Sequence, residues 1–91
     1  MRELNVLVTN SLGLHARAAA QLVCLAGRFS SKIIIHRVDN GVEANAKSIL
    51  SVLHVAAGLG VELKLRADGP DENVAVEEIG KLFAGKFGED R

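Results

Sequence analysis

The sequence predicts an α+β fold, a two-layer open-faced sandwich in which a four-stranded antiparallel sheet carries three helices on one face. Four segments alternate apolar with polar residues or are rich in isoleucine, and three others repeat apolar residues at helical spacing, in the order β-α-β-β-α-β-α. Because alternating strands leave one sheet face wet, the helices should all cover the other face. At 91 residues the chain has the length of one domain, so residues 1–91 are expected to form a single domain.

The first strand and helix are predicted on either side of a glycine turn. Apolar and polar residues alternate from Leu4 to Val8, as in a half-buried strand. A turn around Gly13 follows, and an amphipathic helix should begin at Ala16 and end near Gly27. The apolar residues that fall at helical spacing here are Ala19, Leu22, Val23, Ala26 and Phe29.

The middle of the chain predicts a hairpin and a second helix. Residues 32–38 are rich in isoleucine, "DNG" at 39–41 is a strong hairpin turn signal, and 42–45 should return antiparallel. Ser48 is expected to cap a helix that closes near Gly58 and Gly60. The pattern assigns Ile49, Leu50, Leu53 and Ala56 to the apolar face of this helix.

The last third predicts a strand and a third helix. Residues 61–67 alternate more regularly than any other segment. Pro70 is expected as the first helical residue, with Asp71 and the glutamate after it complementing the helix dipole in the first turn. The helix should run to about Lys86, with fraying over residues 88–91. Its inward residues are expected to be Ala75, Ile79, Leu82 and Phe83.

Composition excludes several classes of function. Eleven basic residues balance eleven acidic ones, which argues against a nucleic-acid or membrane-surface binder. Cys24 is the only cysteine, so no internal disulfide can form, and it is expected to be an inert small side chain. His36 and His54 have no ligand spacing that would suggest a metal site.

The N-terminal pattern shows no signal peptide, so the chain is expected to be cytoplasmic. It is further expected to be a monomer without metal or cofactor.

His15 lies at the predicted start of the first helix, where it can be interpreted in two ways. The first amides of a helix have no internal partner and carry partial positive charge, so they form an anion site and favour a neutral imidazole. Arg17 adds a fork of donors for phosphate oxygens, which would suit a phosphoryl group carried on the ring. The alternative is a histidine that merely tolerates a position near the N-cap.

The segment "NSLGLHARAAAQLV", followed by "AKSIL" in this order of elements, resembles the histidine-containing phosphocarrier (HPr) family of the phosphoenolpyruvate phosphotransferase system. The resemblance covers nearly the whole chain. It implies a carrier rather than an enzyme, in which enzyme I phosphorylates His15 on Nδ1 and the phosphoryl group passes to enzyme II components. Arg17 would assist transfer, and the backbone amides of Ala16, Arg17 and Ala18 would hold the phosphate.

The chain departs from the family pattern at two places. Ala18 stands where the family usually has proline, which adds an N–H to the first helical turn but removes no phosphate ligand. About two extra residues lie around the hairpin at 37–42, a tolerant site far from the histidine motif. Function is therefore expected to survive both changes.

The resemblance also implies a docking surface for enzyme I and the enzyme II components. Its residues would be Ala16, Arg17, Ala20, Ile49, Leu50 and Leu53. Some of the apolar ones could instead complete the core, and Leu50 and Leu53 are the residues expected to be exposed. From its place before a helical pattern, Ser48 is predicted to be an N-cap. The resemblance additionally implies that a regulatory serine kinase phosphorylates it.

Two rival functions remain open at this stage. One is a regulatory phosphocarrier of the nitrogen branch, which acts through its phosphorylation state rather than through sugar uptake. The other is a small-ligand-binding regulatory domain, since small α+β domains often bind ligands. Such a domain has no need of a histidine and an arginine at a helix start, whereas a carrier requires them.

Overall fold

The predicted order of four strands and three helices is confirmed in a computed structural model, which describes residues 1–89. Strand bounds agree with the sequence pattern to within two residues. The elements are β1 Arg2–Leu7, α1 Ala16–Ala26, β2 Lys32–Arg37, β3 Glu43–Asn45, α2 Ile49–Val55, β4 Glu62–Asp68, α3 Glu72–Ala84 and a 3-10 turn over Lys86–Gly88.

The strands form one antiparallel sheet in the order β1-β4-β2-β3. Leu65 at the centre of β4 pairs with Leu4 of β1 and with Ile35 of β2, and Ile35 in turn pairs with Ala44 of β3. Because side chains alternate along a strand, this register places the apolar residues on one face. The predicted open-faced α+β sandwich is therefore confirmed.

The helices bury one apolar stripe each against that face. Leu22 of α1, Val52 of α2 and Ile79 of α3 are fully buried, as are Ile35 and Leu65 beneath them. Burying a side chain of this kind contributes about 1.5–3 kcal/mol relative to leaving it exposed. The polar sheet face remains in water, which fits the alternation of the strands.

Helix α2 is shorter than predicted and buries a different face. It ends at Val55, and Ala56 adopts a left-handed conformation with φ of 53°, so the expected extension to Gly58 is wrong. Its fully buried residues are Val52 and Val55, neither of which was predicted, whereas Leu50 is exposed, as the docking prediction expected. Two helical turns contain too few residues for periodicity to choose between adjacent faces.

The start of α3 also differs from the prediction. Pro70 precedes the helix, and Asp71 is an N-cap residue whose side chain makes no capping bond. Its carboxylate instead accepts the backbone N–H groups of Ser30 and Ser31, at 2.9 and 3.0 Å, and both serine hydroxyls. These hydrogen bonds, led by the Ser31 hydroxyl, lower the pKa of Asp71 to about 2. Asp71 therefore ties the start of α3 to the α1–β2 connection.

The chain after α3 does not fray where the sequence suggested. Lys86–Gly88 form a 3-10 turn in which both Lys86 and Phe87 have φ of 56°. Phe87 is buried against Phe83, with ring centroids 4.9 Å apart in an edge-to-face arrangement. This turn directs Glu89 back toward the helices, so the fraying prediction is wrong for residues 88–89. Its remaining part, residues 90–91, lies outside the described residues.

Candidate functional site

The loop before α1 is shaped by its contact with the segment after α2. Gly13 has φ of 66°, and a Cβ built on it would lie 2.6 Å from the carbonyl oxygen of Ala57. The backbone N–H of Leu14 donates to that same oxygen at 2.8 Å. The side chain of Asn10 spans the loop, donating from Nδ2 to the Gly13 carbonyl at 2.8 Å. This loop places His15 at the start of α1.

His15 is the N-cap residue of α1, with extended backbone angles. Its Nδ1 accepts the backbone N–H of Arg17 at 3.3 Å, a role usually taken by a serine or aspartate oxygen. The side chain is 27% exposed. The nitrogen that caps the helix is thus the one that the family resemblance implies as the phosphorylation site, and it faces the Arg17 amide at the helix start.

The other ring nitrogen meets a carboxylate that the sequence did not predict. Nε2 of His15 lies 2.5 Å from Oε2 of Glu89, and Oε1 of Glu89 accepts from Nδ2 of Asn10 at 3.1 Å. Hydrogen bonds from His15 and Asn10, aided by the charge of Arg17, hold the pKa of the Glu89 carboxyl below its ordinary value. The spacing of Phe83 and Phe87 was the only sequence signal that the chain continues to pack beyond α3.

The remaining residues predicted to hold a phosphate lie in the first turn of α1. Ala16 and Arg17 are exposed, and the side chain of Ala18 is fully buried. Their backbone N–H groups belong to the first helical turn, where amides have no partner within the helix. These amides therefore lie at the helix start that His15 caps, and the charge of Arg17 acts on Glu89, which contacts the His15 ring.

The predicted docking residues differ in exposure. Leu50 is 78% exposed and Ile49 is 40% exposed, and Ala20 on α1 is also exposed. Leu53, which was also expected among the exposed contacts, is half-buried and packs against the core. Leu12, in the loop before His15, is 70% exposed and was missed by the sequence pattern. Cys24, on α1, is also exposed.

Ser48 caps α2, as the sequence predicts. Its Oγ accepts the backbone N–H of Ser51 at 3.4 Å, and its carbonyl accepts the N–H of Val52 at 3.0 Å. Ser51 in turn accepts the N–H of Asn45 at 3.1 Å. The long capping distance indicates a weak bond.

The other two histidines lie away from His15. Nδ1 of His36 pairs with Oε2 of Glu43 at 2.8 Å on the sheet, and His54 is exposed on α2. Glu43 also contacts Arg66 at 3.2 Å, and Arg66 reaches Glu3 at 2.9 Å. Within residues 1–89, no group of three histidine, cysteine or acidic side chains could hold a metal ion.

Comparisons with known proteins agree with the resemblance. The family model described as "PTS HPr component phosphorylation site" matches residues 2–85. A phosphocarrier protein HPr of Cupriavidus necator is 45% identical over 89 residues, 98% of each chain. A phosphocarrier protein NPr of Escherichia coli is 36% identical over 83 residues, 91% of each chain.

Solved structures share the fold. The crystal structure of an HPr from Thermoanaerobacter tengcongensis covers 100% of both chains at 40% identity, with a TM-score of 0.93. Crh of Bacillus subtilis, described as a dimer with a swapped domain, covers 94% of this chain and 97% of its own at 35% identity and a TM-score of 0.73.

The helices within residues 1–89 are too short or too polar to cross a membrane. The family match covers most of the sequence, the curated relatives match along nearly their whole length, and the fold is that of the solved HPr structures. The chain therefore belongs to the HPr family of phosphocarriers, which carry phosphoryl groups in the phosphotransferase system and are not enzymes.

Proposed function

We propose that His15 accepts a phosphoryl group on Nδ1 from phosphorylated enzyme I and passes it to enzyme II components of the phosphotransferase system. The observation that carries the proposal is the position of Nδ1, which lies 3.3 Å from the Arg17 amide at the start of α1. A phosphate on this nitrogen would meet partly positive amides and a guanidinium in one place.

The transfer step requires no cofactor. The Nδ1 lone pair attacks the phosphorus of the phosphoryl group on enzyme I, a bond forms between Nδ1 and phosphorus, and the bond between phosphorus and the donor atom breaks. The electron pair of that bond stays on the donor atom. The amides of Ala16, Arg17 and Ala18 and the Arg17 guanidinium then bind the phosphoryl oxygens. The Arg17 amide is freed for this role when Nδ1 ceases to accept its hydrogen bond.

Docking is assigned to the exposed residues around the helix starts. Leu50, Ile49 and Ala20 offer an apolar surface on α1 and α2, with Leu53 contributing its exposed part. Exposed apolar side chains grouped beside a functional residue are typical of interaction sites. Enzyme I and the enzyme II components are the partners proposed for this surface, and no nucleic acid or membrane is among them.

Regulation through Ser48 is a second proposal. A serine kinase would add phosphate at the N-terminus of α2, where the dipole tolerates negative charge. The charge would lie next to Ile49 and Leu50 and weaken docking of an acidic partner. A matching phosphorylase would reverse the effect.

Sugar uptake is proposed as the role of the relay, with nitrogen-branch regulation as the alternative. Relatives named HPr range from 36% to 48% identity and the NPr of Escherichia coli is 36% identical, so transfer to a sugar-specific enzyme II component is the measurement that distinguishes the two roles. The small-ligand domain is the weaker alternative because it assigns no function to His15 and Arg17.

We further propose a cytoplasmic, single-domain monomer spanning residues 1–91. Sedimentation at several concentrations tests the monomer, and a dimer would contradict it.

The experiment is incubation with enzyme I and labelled phosphoenolpyruvate. One label per chain is expected, labile in acid and stable in base, as for a phosphoramidate. His15→Ala should abolish labelling, whereas His36→Ala should not, although His36 is also half-buried and paired with a glutamate. Label retained by His15→Ala would refute the proposal.

A further inference from the structure

We infer that Glu89 is a positioning residue for His15: by accepting a hydrogen bond from the Nε2–H group, it holds the ring in the tautomer whose unprotonated nitrogen is Nδ1, and so directs phosphorylation to Nδ1 rather than Nε2. This inference rests on the proposed function, in which His15 carries the phosphoryl group. It goes further by naming the residue that selects the reacting nitrogen.

The two contacts of the ring agree on one tautomer. A neutral imidazole has one nitrogen that donates and one that accepts. The Arg17 backbone N–H can only donate, so Nδ1, 3.3 Å away, must accept. The ionised Glu89 carboxylate can only accept, so Nε2, 2.5 Å away, must carry the proton. Only the tautomer with its proton on Nε2 satisfies both contacts.

The carboxylate is itself held in place. Asn10 is fully buried, and its Nδ2 donates to the Gly13 carbonyl at 2.8 Å and to Oε1 of Glu89 at 3.1 Å. The Glu89 side chain is 14% exposed, so water has little access to it. One amide group thus fixes both the loop that carries His15 and the carboxylate that orients the ring.

Glu89 reaches His15 because the preceding turn is anchored. Lys86 and Phe87 both occupy the left-handed region, which costs non-glycine residues of order 1 kcal/mol or more each. Burial of Phe87 against Phe83 offsets this cost. The backbone of the turn is closed by the N–H of Glu89, which donates to the Lys86 carbonyl at 3.0 Å.

The carboxylate also fits the charge produced by transfer. When Nδ1 bonds to phosphorus while Nε2 keeps its proton, the ring becomes cationic. Oε2 of Glu89 then faces that cation directly, with no proton leaving the site. The pair formed by His36 and Glu43 is the opposite case, because there the carboxylate contacts Nδ1.

The test uses inorganic phosphoramidate, a small donor that reaches either ring nitrogen without enzyme I. Long-range 1H–31P correlation spectra of the full chain identify which nitrogen of His15 is phosphorylated. The parent should react at Nδ1, and Glu89→Ala should raise the share of Nε2 product relative to Nδ1 by about tenfold, the scale expected for losing one hydrogen bond to a charged group. Glu89→Asp should recover part of the preference.

Glu78→Ala is the matched control, since this glutamate lies on α3 and forms its one ion pair within residues 1–89 with Lys81, at 3.8 Å. The tautomer is read independently from 15N chemical shifts of His15 in unphosphorylated protein at mildly alkaline pH. Parent and Glu78→Ala should have the proton on Nε2, and Glu89→Ala a mixture.

Equal product ratios and equal 15N shifts in parent and Glu89→Ala would overturn the inference, as would a parent that reacts chiefly at Nε2. That outcome would leave the proposed function intact, because His15 could still be labelled by enzyme I. Failure of the proposed function appears separately, as enzyme I label that persists in His15→Ala.

Discussion

Gly13 lies directly against the carbonyl of Ala57, so closely that no side chain fits between them. A Cβ at position 13 would be 2.6 Å from that oxygen, and the φ of 66° already disfavours any other residue. The loop that carries His15 and the segment after α2 are therefore one packed unit.

Gly13→Ala should lower the free energy of unfolding by about 2–4 kcal/mol, which combines the left-handed backbone cost with overpacking. Urea denaturation measures the loss. Gly41→Ala is the control, because Gly41 has φ of 76° but nothing within 4 Å of the added Cβ. It should lose only about 1–2 kcal/mol. Equal losses at the two glycines would mean that the contact with Ala57 is not restrictive.

Arg17→Ala should slow phosphoryl transfer to and from His15 by about tenfold, because one charged hydrogen-bond donor to phosphate is lost. The side chain is exposed, so the thermal melt should be unchanged. Arg28→Ala, another exposed arginine, provides the control. Unchanged rates for Arg17→Ala in both directions would make the guanidinium a surface charge and nothing more.

Ser48→Ala should cost about 0.5–1 kcal/mol of stability, at the low end for an N-cap because the capping bond is 3.4 Å long. Labelling of His15 should be largely unaffected. Ser48→Asp should keep the cap and the melting temperature but weaken docking of enzyme I. If Ser48→Asp transfers phosphate as fast as the parent, charge at the start of α2 has no influence on docking.

Leu50→Asp should raise the KM for transfer from enzyme I by about fivefold to tenfold, as expected for an apolar contact residue at an interface. Val74→Asp is a close match, since Val74 is 52% exposed and also lies in the first turn of a helix. Aspartate suits both helix starts, so neither melt should fall. An equal rise in KM for the two variants would argue against docking through α2.

The lowered pKa of Asp71 predicts that the protein loses a defined part of its stability in acid. Folding lowers its pKa from 3.8 to about 2, so its contribution is fully present above the unfolded value and lost as pH falls through about 2. Asp71→Asn should be less stable than the parent at neutral pH, and the difference should shrink between about pH 5 and pH 2. Urea midpoints across this range measure it, with Glu78→Gln as control. A difference that does not change with pH would exclude the hydrogen bonds to Ser30 and Ser31 as its cause.

The sequence predicted the sheet and its turns because those signals are local. Alternation identifies β4, and Gly13 and Gly41 both adopt the positive φ that their turns require. His15 and Ser48 were placed correctly as helix-start residues for the same reason.

The failures concern contacts between distant segments. Periodicity cannot identify the buried face of a helix as short as α2, so the burial of Val52 was not predicted. The bonds from Asp71 to Ser31 and from Glu89 to His15 join residues 40 and 74 positions apart, and no pattern in the chain indicates them. The left-handed backbone conformation of Phe87 could not be predicted either, because phenylalanine does not favour that conformation.

The strand order has a consequence for synthesis of the chain. β4 is the last strand made, yet it lies between β1 and β2, so the first strand to emerge has no neighbour until about two-thirds of the protein exists. A nascent chain can close the β2–β3 hairpin early, but the sheet is completed only when β4 inserts into the gap. Val8, where the His15 loop begins, is held by hydrogen bonds with Gly60 and Val61 just before β4. The loop that carries His15 therefore has all of its contacts to neighbouring segments only after β4 has been made.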